Sequence, residues 1–126
     1  MRIKLTDDSI ETERQSAICK HLKRLPSIAF VVRINSGCAR RGKTIIWFYR
    51  IFIGGKETII GKNLPDIIGM TNKGRFFAID VKRKGEPATP GQQEVIDLIN
   101  RKGGIAGTAE TPMEAEKVLT GGEGGG

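Results

Sequence analysis

Histidine occurs once in this 126-residue chain, at position 21, and cysteine twice, at 19 and 38. Three such side chains, dispersed as they are, do not make the four-ligand cage of structural zinc. A dense disulfide framework is excluded by the same count, and two free thiols in a reducing compartment is a plainer reading than one disulfide. No apolar run approaches the roughly 20 residues of a membrane-spanning helix, and Met1-Arg2-Ile3-Lys4 does not open the apolar core of a signal peptide. The expectation is a soluble intracellular protein, in the cytoplasm of a bacterial host if it is phage-encoded. Acidic residues are also in deficit, 14 against 21 Lys and Arg, which leaves a formal charge of +7. That balance raises the prior for nucleic acid or an anionic surface. Structural RNA-binding proteins share it, so charge by itself names no activity. Neither a recognition helix nor a finger motif is visible.

What is present is enough apolar residue, 38 %, for one core and one domain. Residues 6–25 read as a first helix. Asp7, Asp8 or Ser9 can cap it, Ile10, Ala17, Ile18, Leu22 and Leu25 form its apolar stripe, and Pro26 stops it. A strand over 28–34 leads to a turn at Asn35-Ser36-Gly37. Arg40, Arg41, Gly42 and Lys43 read as a basic loop before a second strand, 44–53, and Gly54-Gly55 closes a hairpin to 57–60. A short strand at 66–70 and a turn at Asn72-Lys73-Gly74 lead into another strand, 75–81. Thr89 and Pro90 open a helix whose buried side is Val95, Ile96, Leu98 and Ile99 and which Gly103-Gly104 end. A strand at 105–109 precedes a last short helix, opened by Thr111-Pro112-Met113-Glu114 and closing at Leu119. The domain is expected to span 1–120, with 121–126 a disordered glycine-rich tail. This order predicts an α/β fold, a mixed sheet flanked by helices with the last strand reached by a crossover.

Asp80-Val81-Lys82 closes the apolar run Phe76-Phe77-Ala78-Ile79, and Pro65-Asp66 lies fourteen residues upstream of Asp80. The period of two in a strand turns Asp80 and Lys82 to one face. A hairpin about residues 72–74 brings Asp66 beside them. Two carboxylates can then hold magnesium or manganese through hard oxygen ligands, while the ammonium faces a phosphate. The tripeptide alone is weak: with five Asp and eleven Lys, a shuffled chain of this composition contains Asp-x-Lys about 0.4 times. Ordinary solvated strand-end residues are the plain alternative.

The fuller pattern is more specific. Gly61-Lys62-Asn63-Leu64-Pro65-Asp66-Ile67-Ile68-Gly69, then Phe77-Ala78-Ile79-Asp80-Val81-Lys82-Arg83-Lys84-Gly85, then Thr89-Pro90-Gly91-Gln92-Gln93, with the helix and Gly103-Gly104 that follow, resembles the PD-(D/E)xK nuclease superfamily. Within it the chain is similar to the virus-type replication–repair nuclease (VRR-NUC) domain, closely in its second half and loosely before Leu64. The resemblance implies a restriction-endonuclease-like fold, with Asp66 and Asp80 as metal carboxylates, the Val81 carbonyl as a further metal ligand and Lys82 as the catalytic lysine. The family often has Glu where Asp80 stands, which shortens the reach by one methylene. Glu13 resembles the first-helix glutamate of the site, with Glu11 its rival and an exposed helix glutamate the plain alternative. Gln92 resembles the glutamine that faces the site from the following helix, with Gln93 its alternative.

Arg40, Arg41, Lys43, Arg83 and Lys84 are candidates for binding DNA phosphates, or solvated turn residues. Trp47, Phe48 and Tyr49 share a strand-like run in which core packing is the safer assignment for Trp47 and an outward ring can stack on a base. His21 reads as a helix-surface residue. Small stand-alone members of the family look like dimers that resolve Holliday (four-way) junctions. A Mg2+/Mn2+-dependent endonuclease acting on branched DNA as a homodimer is therefore the leading expectation. A flap nuclease or nickase of phage replication or repair, and a non-catalytic basic DNA-binding protein, are the alternatives.

Overall fold

The strand Phe76–Val81 is buried at five of its six residues and lies inside the four-stranded sheet of the protein. The computed structural model describes residues 4–34, 38–47, 50–53, 56–60 and 64–124, with the backbone alone at 38, 47, 50–53, 56–60 and 123–124. In chain order the elements are α1 (Glu11–Leu22), β1 (Ile28–Arg33), β2 (Cys38–Arg41), β3 (Thr44–Trp47), β4 (Arg50–Ile53), β5 (Lys56–Ile60), β6 (Ile67–Thr71), β7 (Phe76–Val81), α2 (Pro90–Arg101), β8 (Ile105–Ala109) and α3 (Pro112–Gly124). The fold is α/β. A four-stranded mixed sheet runs β1-β6-β7-β8, with β7 antiparallel to β6 and parallel to β8, which is reached by the crossover through α2.

Alternation along β7 sorts its side chains. Phe77, Ile79 and Val81 point into a core shared with Ile18 and Leu22 of α1, Ile67 of β6, Ile105 of β8, and Ala115 and Leu119 of α3. Ala78 points to the other face, where Ile96 of α2 packs on it and on Ala106. Full burial of each large aliphatic chain contributes roughly 1.5–3 kcal/mol, so β7 is fixed from both sides. Its odd residues stabilise the sheet, and the positions in phase with Ala78 are left for Asp80 and Lys82.

The β6–β7 hairpin closes as the Asn72-Lys73-Gly74 turn predicts. Thr71 Oγ1 accepts the Lys73 and Arg75 N–H groups, and Gly74 takes φ +82°, which an L side chain rarely adopts. Gly69 lies against the Phe77 ring and the Phe30 carbonyl, where a Cβ has no room. Asn72 donates through Nδ2 to the Pro26 carbonyl, tying the turn to the start of β1.

Four expectations change. α1 starts at Glu11, five residues later than the pattern suggests, because Ser9 Oγ accepts the Thr6 N–H (2.7 Å) and holds the preceding segment in a turn. The basic stretch around Arg40 is not a loop: β2 pairs with β3 about Gly42. The long strand expected over 44–53 is two, β3 in that hairpin and β4 in a second with β5. The turns at 35–37 and 54–55, the residues Phe48 and Tyr49, the side chain of Trp47 and the segment 61–63 lie outside the described residues. Finally, α3 does not stop at Leu119 before a disordered tail but continues through Gly121 and Gly122 to Gly124. Arg75 holds that last turn by donating to the Gly122 carbonyl (2.8 Å), and Gly122 lies so close to Ile105 that a Cβ would meet its Cγ2 at 2.5 Å. No helix among the described residues is long and apolar enough to cross a membrane.

Candidate functional site

Asp66 immediately precedes β6, and the antiparallel register that pairs Ile67 with Ile79 sets it opposite Asp80. Its Oδ2 accepts the Val81 N–H at 2.8 Å, a bond that fixes the carboxyl against the end of β7. Asp80 is 2 % exposed, and its Oδ2 is buried without a hydrogen-bond partner. The nearest cation is Lys82, whose Nζ stands 3.7 Å from that oxygen, an ion pair too long for a hydrogen bond.

Lys82 is itself 4 % exposed. Its ammonium donates to Gln92 Oε1 at 2.5 Å, and the same oxygen accepts the Thr89 N–H at 2.9 Å. Thr89 Oγ1 in turn accepts the Gln92 N–H at 3.2 Å. This reciprocal pair is the capping box of α2, so the group that starts the helix also holds the lysine. Thr-x-x-Gln was readable in the sequence as a capping box. Gln93 instead donates to Asp97 along the outer face of α2 (2.8 Å).

Burial raises the pKa of Asp66 to about 7, helped by the Asp80 carboxyl beside it and opposed by the Val81 N–H and Lys82. Asp80 is also raised, chiefly by burial, while the neighbouring Asp66 carboxyl and the charge of Lys82 pull the other way. Two buried carboxyls in such contact titrate as a pair that keeps one proton to near neutrality.

Of the two first-helix glutamates, Glu11 is the one that feels the charges of the site. Glu13 is exposed, and its Oε1 accepts the Ile10 N–H (3.1 Å) at the helix start. Glu11, half-buried, has its pKa raised by desolvation, then by Asp66 and Glu86, with Lys82 and Arg83 opposing. Charges on four segments thus converge at this end of the sheet. Spacing could not separate Glu11 from Glu13, because two residues on a helix differ by about 200° of rotation and either face was open. Glu86 was not legible as a site neighbour. Its Oε1 accepts the Arg83 N–H at 3.0 Å, closing the loop after Lys82.

Arg40, Arg41 and Lys43 are exposed on the β2–β3 hairpin, and Arg83 is exposed beside the site. Lys84 pairs with Asp7 at 2.7 Å on the surface. His21 sits half-exposed between α1 and α3, with Nε2 2.6 Å from Glu116 Oε1. Cys19 is a free thiol.

Among the described residues no three His, Cys, Asp or Glu side chains gather closely enough to cage a metal. The donors that do converge, two carboxylates with one orphaned oxygen, suit a hard cation that keeps waters and accepts phosphate oxygens. They do not suit zinc. Compared with protein-family models, with curated proteins and with solved structures, the chain matches none.

Proposed function

We propose that this chain is a magnesium- or manganese-dependent deoxyribonuclease of the restriction-endonuclease-like fold and VRR-NUC type, and that a homodimer of it cuts branched DNA, foremost four-way junctions. One observation carries the reading: the unpartnered, buried Oδ2 of Asp80 beside a second carboxylate and an oriented ammonium. A buried carboxylate oxygen without a donor is costly, and such an atom calls for a missing partner. A divalent cation held by Asp66, Asp80 and the Val81 carbonyl would be that partner.

Once bound, such an ion polarises a phosphoryl oxygen and lowers the pKa of its water. The side chains do the rest. Gln92 holds the Lys82 ammonium in place, so a fixed positive charge stands where negative charge grows on the phosphate. Val81 N–H orients Asp66, and burial supplies the low dielectric that strengthens both effects. Arg83 and the hairpin residues Arg40, Arg41 and Lys43 draw the DNA backbone in without reading bases. For Lys84 to do likewise, a phosphate must displace Asp7. Two sites related by a twofold axis suit paired cuts in a symmetric junction.

The test is cleavage of a labelled four-way junction beside linear duplex and flap DNA, with Mg2+, with Mn2+ and with chelator. Paired, metal-dependent cuts confined to the junction are expected. Equal cutting of every substrate defeats junction selectivity, cutting of the flap or of one strand alone favours the flap nuclease or nickase, and DNA binding without any cleavage leaves a non-catalytic module.

A further inference from the structure

Arg14 lies in α1 and is 2 % exposed, yet among the described residues no carboxylate forms an ion pair with its guanidinium. It donates instead to four carbonyl oxygens from two segments: through Nε to Ser9 (2.9 Å), through Nη2 to Thr6 (2.9 Å) and Asp7 (3.4 Å), and through Nη1 to Glu110 (2.7 Å). A buried cation is tolerated only when its donors are met. An apolar side chain such as those of its neighbours Ala17 and Ile18 would fill the space with no such demand. What the guanidinium adds is direction, because its planar fork bonds several segments at fixed angles.

Those segments border the site. Glu110 follows the point where Lys82 N–H bonds the Ala109 carbonyl, and its carboxylate accepts the Gly85 N–H at 3.0 Å. Asp7 pairs with Lys84. Glu11 lies two residues beyond Ser9, the last residue of the segment that Arg14 ties down. We propose that Arg14 is a positioning residue, its buried guanidinium joining residues 6–9 to Glu110 and so holding Glu11 beside the Asp66–Asp80 pair. This inference rests on the metal reading above and names the element that sets its third, outer carboxylate.

The measurement is Mn2+ affinity, read from the free-ion electron paramagnetic resonance signal, with circular dichroism checking the fold. Arg14→Gln should bind Mn2+ about tenfold more weakly, the scale of an outer-shell loss. Arg14→Lys should not restore it, because a point-like ammonium with three donors cannot span the four carbonyls that the planar fork bonds at fixed angles. Ser9→Ala loosens the same segment without touching the guanidinium and should shift affinity in the same direction by less. In a Glu11→Gln background both shifts should vanish, since a residue acting through Glu11 has nothing left to position.

Wild-type affinity in folded Arg14→Gln, or an undiminished shift in the Glu11→Gln background, overturns the proposal. If Arg14→Gln does not fold, Ser9→Ala with and without Glu11→Gln decides on the same terms. A wild-type protein that binds no Mn2+ overturns the metal reading together with this one. Wild-type binding to which the Arg14 variant is indifferent overturns the positioning role alone.

Discussion

Asp66→Asn should make the protein more stable at alkaline pH, at the cost of its chemistry. The asparagine oxygen can still accept the Val81 N–H, and the amide can donate toward Asp80, so the geometry survives while one buried charge disappears. In the wild type Asp66 keeps its proton to about pH 7 in the folded state, against an ordinary value of 3.8. Between those values the native state binds more protons than the unfolded one, so stability falls as pH rises and levels off above 7. The rise from 3.8 to about 7 is worth roughly 4 kcal/mol. Solvent at the rim brings the measurable loss to about 2–4 kcal/mol. Urea unfolding of both proteins at pH 4 and pH 8 in chelator reads it directly. The stability difference should favour the variant by about 2–4 kcal/mol more at pH 8 than at pH 4. A difference that does not change with pH would refute the buried-pair account. Added Mg2+ should then stabilise the wild type at pH 8 and the variant much less, because only the wild type regains a partner for its paired charge.

Asp80→Ala and Lys82→Ala should each lower cleavage at least about 100-fold while circular dichroism stays that of the wild type. Retained activity in both would remove the site. Thr89→Ala should cost about 1 kcal/mol in urea unfolding through the lost cap of α2. Cleavage should change little, because the backbone N–H of residue 89 still bonds Gln92 Oε1 and holds it on Lys82; a large loss of turnover would show that the cap hydroxyl itself aims Gln92. Replacing Arg40 and Arg41 by Ala should weaken DNA binding and lower the log–log salt slope by about 1.8 if each neutralises one phosphate. An unaltered slope takes the hairpin out of the interface.

Much of the second half was legible because its signals are local. The 66–81 hairpin has a turn sequence and alternation that set Asp66 opposite Asp80. α2 begins at Pro90 after Thr89, and β8 at 105–109 lies where the apolar run placed it. Residues 44–53 were misjudged because a run rich in β-formers states a preference for strand and not where pairing breaks. The end of α3 is not legible because glycine is a poor helix former by itself, and a long-range bond from Arg75, 47 positions away from Gly122, holds that turn.

The sequence by itself determined the charge balance, the phase that puts Asp80 and Lys82 on one face, and the Thr89 cap and Pro90 that start the helix carrying Gln92. Those depend on neighbours a few residues apart, whose geometry the backbone periods dictate. Tertiary structure alone decided that Glu11 feels the charges of Asp66 and Lys82 while Glu13 bonds the helix start, that Gln92 and not Gln93 holds the lysine, and that Asp80 Oδ2 is left without a donor. It also decided that Arg14, which in a helix pattern reads as a solvated cation, is buried. Its partners are four carbonyls, one of them 96 residues away, and no local period encodes contacts that exist only once the segments meet.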